Sequence, residues 1–518
     1  MYLTQGLHRA VQQRPDAVAT VFGDRVTTFA QQFQRVSRLA GGLRGLGVRR
    51  GGRVAFLGLN SDRYCEYYLA VPWADATVNP VNIRWTPMEV AASLDDSQTR
   101  VVIVDDTFSP AVAQIREHYP NLDTVIYAGE RTTPPGMVCY EDLVSNGPLV
   151  DDARRGGQAM AGLFYTGGTT GVPKAVILSH ANLITSALGI VASQAFSDVD
   201  GAILHAAPLF HLATLSELVI STLIGRTQVI LPSFNPIAVL QAVEEHRIMG
   251  LRLVPIMLQL LLDHPRIDDF DLSSVSSVGY GGSSIAESLL LRAIERLPDA
   301  KFVQAFGQTE LSPVTALLGP EGHSPDGRSS GLLRSAGRAG PHAEMRVINQ
   351  QGAPLPPGQV GEIVVRGAHV MRGYWRRPAE TAAALRGGWM HTGDAGYLDA
   401  NGYLFVVDRI RDIIVSGGEN VYCAEVENAI ASHPKVAACA VIGVSDALWG
   451  ERVHAVIEPV AGAELTIEDL RLHTEGVLAA FKRPRSIELV EALPLSASGK
   501  VLKAKLRADA ADRGVSAQ

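Results

Sequence analysis

Short apolar runs alternating with amphipathic helical patterns constrain this chain more than any other feature. RVAFLGLN (53–60), RVVIVDD (100–106) and TVIYAG (124–129) have the composition of buried strands, while TTFAQQFQRVSRLAGGLRGLG (27–47) repeats its apolar residues at helical spacing. The same texture returns between 200 and 310, where AILHAAPL, TQVILP, GLRLVP, SVSSVGYGG and KFVQAFG read as strands with helices between them. Such alternation predicts an α/β fold with two similar lobes. From 340 onward EMRVINQ, GEIVVRG and GYLFVVD are short strands set off by Gly and Pro turns, which predicts a β-rich third lobe. After Asp408 and Arg409 the pattern becomes compact and α+β, as in AEVENAIASHPKVAACAVIGVSD. The expected division is therefore a large N-terminal domain, 1–410, and a small C-terminal domain, 411–518, whose last residues, DRGVSAQ, form a frayed tail.

Composition limits what such a chain can do. Its 518 residues are 47% hydrophobic and 19% charged, enough for several core-bearing lobes. Lys and Arg total 46 against 53 Asp and Glu, a net charge of -7 without a polybasic run, so nucleic acid is not an expected partner. Cys65, Cys139, Cys423 and Cys439 lie far apart with no C-x-x-C pair, which argues against a zinc site or disulfide framework and for a reducing, cytoplasmic setting. Leu3, Leu7, Ala10 and Val11 share one helical face at the N-terminus, a docked helix rather than a signal peptide. The most apolar stretch, LATLSELVISTLIG, is interrupted by Glu217 and is too short for a transmembrane segment.

LFYTGGTTGVPKAVILSH (163–180) is the segment that composition alone does not explain. It places a Gly/Thr loop between two apparent strands, and glycine there forfeits backbone entropy on folding. The loop's backbone N–H groups and hydroxyls can wrap phosphates, with Lys174 adding positive charge. It is not a Walker A loop, since no Gly-Lys-Ser/Thr follows at the required offset and no helix follows directly. An ordinary flexible hairpin loop would also account for this segment taken alone.

The string T-G-G-T-T-G-V-P-K resembles the phosphate loop of the AMP-forming acyl-CoA synthetases and their adenylate-forming relatives, with Gly167 where many members have serine. The other motifs of that family follow in order: PLFHLATL with His211, QAFGQTE with Glu310, GWMHTGDAGYLD with Asp394, VDRIRDIIVSGGENVY with Arg409, and PLSASGK ending on Lys500. The resemblance covers nearly the whole chain. It implies that Thr166, Gly167, Gly168, Thr169, Thr170, Gly171 and Lys174 bind phosphate, and that Glu310, with Thr166, holds Mg²⁺ through hard oxygen ligands. A lone glutamate is ordinarily a solvated surface residue, and only the motif singles this one out.

The same resemblance implies a nucleotide site of Gly281, Gly282, Ser283, Gln304, Ala305, Phe306, Gly307 and Thr309, in which Phe306 faces adenine and the Thr309 hydroxyl meets the α-phosphate. Asp394 would accept hydrogen bonds from both ribose hydroxyls, with Arg409 as a second ribose contact. Arg411 occupies the family's hinge position, where Lys or Asp is more usual. Lys500 is implied to stabilise charge as the carboxylate attacks the α-phosphorus, and with Glu310, Thr309 and His211 it makes up the implied catalytic set. In a second orientation of a mobile C-terminal domain, Gly417 and Gly418 would line a thiol tunnel. Trp449, Phe481, Arg483 and Arg485 at its mouth would bind coenzyme A, although a surface basic cluster is the plain alternative.

The implied reaction consumes ATP and a small-molecule carboxylic acid, with Mg²⁺ and coenzyme A, by an enzyme expected as a monomer or homodimer. His211, Leu212, Val254, Pro255, Met257 and Tyr280 are the expected acyl pocket, and their apolar character suits a medium- or long-chain fatty acid. An aryl or arylpropenoic acid fits the same residues, and a carrier-protein thiol could replace coenzyme A. A luciferase-like oxygenase shares the adenylation motifs, but the basic, aromatic tunnel mouth argues against it. Lys500→Ala is expected to remove acid-dependent AMP formation, measured beside the unaltered enzyme; retained AMP formation would take Lys500 out of the reaction.

Overall fold

The computed structural model describes residues 1–166, 173–193, 201–446, 448–495 and 501–513. Two large sheets carry the N-terminal part. One runs Gly373–Tyr374, Lys174–Ser179, Met160–Thr166, Thr77–Pro80, Arg53–Leu57, Val101–Val104, Thr124–Tyr127 and Val138–Cys139 in spatial order. The other runs Arg338–Ala339, Val314–Leu318, Lys301–Gly307, Ser277–Gly281, Ile248–Leu253, Ala202–His205, Gln228–Ile230, Val18–Phe22 and Arg25–Thr28. Their interiors are parallel, as continuous apolar strands covered by helices on both faces require. The helices start where caps predict: Thr28 with Gln31, and Thr86 with Glu89, form capping boxes for Phe29–Gly45 and Pro87–Asp96.

The two lobes are interleaved rather than consecutive. Val18–Phe22, early in the chain, pairs in parallel with Gln228–Ile230 of the second sheet, while Gly373–Tyr374, late in the chain, pairs with Lys174–Ser179 of the first. Asn60 joins the lobes. Its side-chain amide donates to the carbonyls of Ala207 (2.9 Å) and Leu231 (3.1 Å) and accepts from the Leu209 N–H (2.7 Å). Glu217, the charge inside the apolar stretch, lies buried within helix Leu212–Ile224 and pairs with Arg226 (3.3 Å) and Arg252 (3.2 Å), so burial leaves no isolated charge.

The β-rich part is a sheet of Glu344–Ile348, Gly361–Arg366, Trp389–Leu398 and Leu385–Arg386, with Leu404–Arg409 pairing alongside Trp389–Leu398. A single 3₁₀ turn, Ile410–Asp412, then carries the chain to another sheet, built from Ile414–Ser416, Glu419–Val421, Val436–Asp446, Gly450–Pro459 and Ser486–Leu489. That sheet and its helices enclose a core of their own around Ile414, Val426, Ile430, Val441 and Val453. The fold class is thus mixed α/β, with a large N-terminal domain and a smaller α+β C-terminal one. Leu7 and Ala10 are buried on the first helix, Gln5–Gln13, where Val11 is half-buried; Leu3 is buried just ahead of the helix, and the cysteines are free thiols. Among the described residues no helix is long and apolar enough to cross a membrane.

Several histidines are sealed into this architecture. The Leu3 N–H donates to Nδ1 of His180 (3.3 Å), and His369 packs edge-on against His342 with ring centroids 4.6 Å apart. Burial lowers the pKa of His180 to about 4 and that of His369 to about 3, helped by Arg155 in the first case and His342 in the second. Both are neutral in the fold, so the unfolded chain takes up their protons first. Their contribution is intact above the ordinary value of 6.5 and is lost as pH falls through it toward 4 and 3, by up to about 1.4 kcal/mol per histidine and pH unit. Thermal melts should therefore show a falling melting temperature from pH 7.5 to 5, with a shallower slope for His369→Gln; equal slopes would remove His369 as a cause.

Candidate active site

The motif residues gather where parallel strands end. Asn60 follows Arg53–Leu57, the His211 loop follows Ala202–His205, Val254 follows Ile248–Leu253, Gly282 follows Ser277–Gly281, and Glu310 follows Lys301–Gly307. The carboxyl ends of parallel strands in open α/β sheets are where ligand crevices form. Here two such edges are joined by the Asn60 amide.

One corner of the site centres on Tyr374. Met160–Thr166 and Lys174–Ser179 are antiparallel, with Thr166 opposite Lys174, so the glycine-rich segment connects paired strands as the sequence implied. Gly167, Gly168, Thr169, Thr170 and Gly171 lie outside the described residues, as does Lys500. Glu310 sits in the turn Thr309–Leu311 with only 8% of its surface exposed. The Tyr374 hydroxyl donates to its Oε1 at 2.9 Å. Lys174 Nζ stands 5.4 Å from the centroid of the Tyr374 ring. Burial raises the Tyr374 pKa well above the ordinary phenolic value, the Glu310 charge adds to the rise, and Arg409 opposes it. Lys174 and Glu310 thus both meet one phenol. The sequence reading missed Tyr374, because 64 residues separate it from Glu310 and no local pattern marks it.

The second corner is built by close backbone approach. Gly281 pairs with Ala305, and a Cβ on Gly281 would lie 2.3 Å from the Ala305 carbonyl oxygen. Gly282 has a φ of +81° and leaves its neighbour Ser283 exposed. Gln304, Ala305, Phe306 and Gly307 are half-buried along the same strand. Gln308 Nε2 donates to the Thr392 carbonyl (3.3 Å), which ties this segment to the turn carrying Asp394. Asp394 lies opposite Arg409 across two antiparallel strands, and Arg409 Nε meets its Oδ1 at 2.7 Å.

His211 stands at the N-cap position of helix Leu212–Ile224 without a side-chain capping bond, and its ring centroid lies 4.1 Å from that of Phe210. Its loop is held by Asn60 and by the Tyr68 hydroxyl, which donates to the Leu209 carbonyl (2.7 Å). Val254 and Met257 are half-buried at the start of helix Pro255–Leu262, and a Cβ on Gly282 would lie 3.7 Å from Val254. Pro255 and Leu212 are buried. Tyr280 is also buried, and its hydroxyl is hydrogen-bonded to His323 at 2.8 Å.

In the C-terminal domain, Gly417, Trp449 and Arg485 form one cluster. The Gly417 N–H donates to the Trp449 carbonyl (2.8 Å), and the Arg485 guanidinium stacks 4.3 Å from the Trp449 ring. Gly418 beside it is exposed. Phe481 instead packs against the domain core, and Arg483 donates to the Leu478 carbonyl and faces Glu475 at 3.6 Å. Arg411 lies in the turn between the sheets; burial lowers its pKa, Asp412 opposes that, and Arg409 and Arg507 add to it.

Comparison with known proteins agrees with this geometry. Residues 7–375 match the family model of AMP-binding enzymes, and 425–500 match that family's C-terminal domain. A feruloyl-CoA synthase of Amycolatopsis is 38% identical over 96% of this chain and 97% of its own. A fatty acid–acyl-carrier-protein ligase of Streptomyces coeruleorubidus is 35% identical, over 96% and 94%. The structure of o-succinylbenzoate–coenzyme A synthetase from Bacillus subtilis with ATP and magnesium superposes with a TM-score of 0.84, at 29% identity and 97% and 98% coverage. Fold and site together define an adenylate-forming enzyme. The chain belongs to the family of AMP-binding enzymes, as an AMP-forming acid–thiol ligase.

Gly417 offers a direct check on the C-terminal cluster. Its φ is +62°, and an added Cβ would meet the Trp449 ring at 2.7 Å. Gly417→Ala should cost about 1–2 kcal/mol for the left-handed backbone alone and displace the indole, read as a change in tryptophan fluorescence and a lower melting temperature. Unchanged emission and melting would mean that the cluster is loosely packed.

Proposed function

We propose that this enzyme activates an apolar carboxylic acid as its acyl-adenylate and transfers the acyl group to coenzyme A. The observation that carries this reading is the convergence of Lys174 and Glu310 on Tyr374, together with the pairing of Asp394 with Arg409. These groups would supply a cation for phosphate, a carboxylate for a metal ion and a carboxylate for ribose.

In the first half-reaction a carboxylate oxygen of the acid attacks the α-phosphorus of ATP, and the bond to pyrophosphate breaks. Lys174 attracts the departing phosphates, Thr309 donates its hydroxyl to the α-phosphate, and Lys500 offsets the negative charge that develops. Gly281 and Gly282 let the backbone approach adenine against Phe306. Glu310 and Thr166 would hold Mg²⁺ through a carboxylate and a hydroxyl, hard oxygen donors of the kind it prefers. When bound, the ion would supply charge neutralisation. In the second half-reaction a thiol gives up its proton to solvent as its sulfur attacks the acyl carbon, and AMP leaves with the carboxyl-derived oxygen.

We assign residues 1–410 to the activating domain and 411–518 to a mobile C-terminal domain hinged at Arg411. Its reorientation would exchange Lys500 for the face bearing Gly417, Gly418, Trp449 and Arg485, with Phe481 and Arg483 near the coenzyme A end. The Cys423 N–H donates to Asp408 at 2.5 Å across this point, and Arg507 pairs with Asp412 at 2.7 Å. The first contact would break on rotation, whereas the second would travel with the domain.

His211, Leu212, Val254, Pro255, Met257 and Tyr280 are assigned to the acyl side. Likeness to a feruloyl-CoA synthase supports an aromatic or arylpropenoic acid. Likeness to a fatty-acid ligase supports the medium- or long-chain acid that the sequence suggested, with a carrier protein as the alternative thiol. AMP formation over a panel of straight-chain, aryl and arylpropenoic acids, with coenzyme A or an acyl carrier protein, separates these readings. A clear acid preference with coenzyme A dependence is expected; adenylate formation that coenzyme A does not accelerate would overturn the coenzyme A assignment.

A further inference from the structure

We infer that Tyr374 is a positioning residue for the adenylating half-reaction, holding the Glu310 carboxylate for the metal ion and the Lys174 ammonium for the phosphates of the nucleoside triphosphate. The inference rests on the function proposed above. Three contacts converge on this side chain. Its hydroxyl donates to Glu310 Oε1 at 2.9 Å, which fixes the carboxylate's rotation and leaves Oε2 as the oxygen not engaged by the phenol. Its ring presents a π face to Lys174 Nζ at 5.4 Å. Its backbone lies opposite Val176 in the strand that begins at Lys174.

The tyrosine itself is held in place. Its N–H donates to Thr381 Oγ1 (2.9 Å), and that hydroxyl donates to the Arg377 carbonyl (2.7 Å). Gly373 before it has a φ of +137°, and a Cβ there would meet Thr381 Cγ2 at 2.6 Å, so the approach depends on glycine. Glu310 is held from its own side by the Met371 N–H, which donates to its backbone carbonyl at 2.8 Å. The segment 371–374 therefore grips Glu310 at both main chain and side chain while pairing with the strand of Lys174. A carboxylate and an ammonium from distant parts of the chain are thus registered against one rigid ring, and positional accuracy of this kind limits rates when charges must meet a developing transition state.

Tyr374→Phe keeps the ring and its packing but removes the hydroxyl, and Tyr374→Leu removes both. Calorimetric titration with ATP, with magnesium and then with EDTA, reads the two contacts apart. Tyr374→Phe should weaken binding of ATP with magnesium roughly tenfold, the scale of a lost hydrogen bond to a charged group, and leave binding in EDTA unchanged. Tyr374→Leu should weaken both. The half-saturating magnesium concentration for AMP formation should rise in Tyr374→Phe, while consumption of preformed acyl-adenylate by coenzyme A stays at the wild-type rate. In a Glu310→Gln background the Tyr374→Phe effect should vanish. A Tyr374→Phe enzyme with wild-type magnesium dependence in binding and turnover overturns the positioning role, as does an equal loss with and without magnesium. Absence of acid-dependent AMP formation by the wild-type protein would instead overturn the proposed function.

Discussion

The Asn60 side chain is the contact on which the active-site geometry depends. A buried primary amide left without partners costs about 1–3 kcal/mol, and this one satisfies itself only if three separate strand ends stand in one place. Its donors reach Ala207 and Leu231, its oxygen receives Leu209, and its own N–H donates to the Pro232 carbonyl. The carboxyl end of an interior strand of the first sheet is thereby tied to the carboxyl ends of two interior strands of the second. The loop bearing His211 is set by the same bonds.

Electrostatics in the site follow from that placement. Lys174 and Glu310 from distant segments meet the same Tyr374 side chain, and Asp394 has Arg409 as its counter-charge. The chain changes sheets across Ile410–Asp412, within a few residues of the Asp394–Arg409 pair.

Much of this was legible in the sequence because it depends on local chemistry. Strands such as Arg53–Leu57 and Val101–Val104 announce themselves as apolar runs, and the helix Phe29–Gly45 as an amphipathic repeat. The glycines at 281 and 307 mark close backbone approach, where a Cβ would collide with a neighbouring carbonyl. Tyr374 was not legible, since its partners Glu310 and Lys174 are remote in sequence and a Gly-Tyr pair is unremarkable. The ties of Tyr280 to His323, and of Phe481 to the C-terminal core, were equally hidden. Each is decided by packing between elements that local patterns do not relate.

The sequence by itself determined the α/β class, the β-rich segment, the shift to a compact C-terminal region and membership of the AMP-binding enzymes. Periodicity, turn chemistry and motif spacing act over a few residues and survive in any reading of the chain. Tertiary structure alone decided that Val18–Phe22 joins the second sheet and Gly373–Tyr374 the first, that Asn60 locks the two together, and that one phenol stands between Lys174 and Glu310. The reason is physical. Strand partnership, amide satisfaction and charge pairing depend on where distant segments meet in space, and that is fixed by the burial of whole faces.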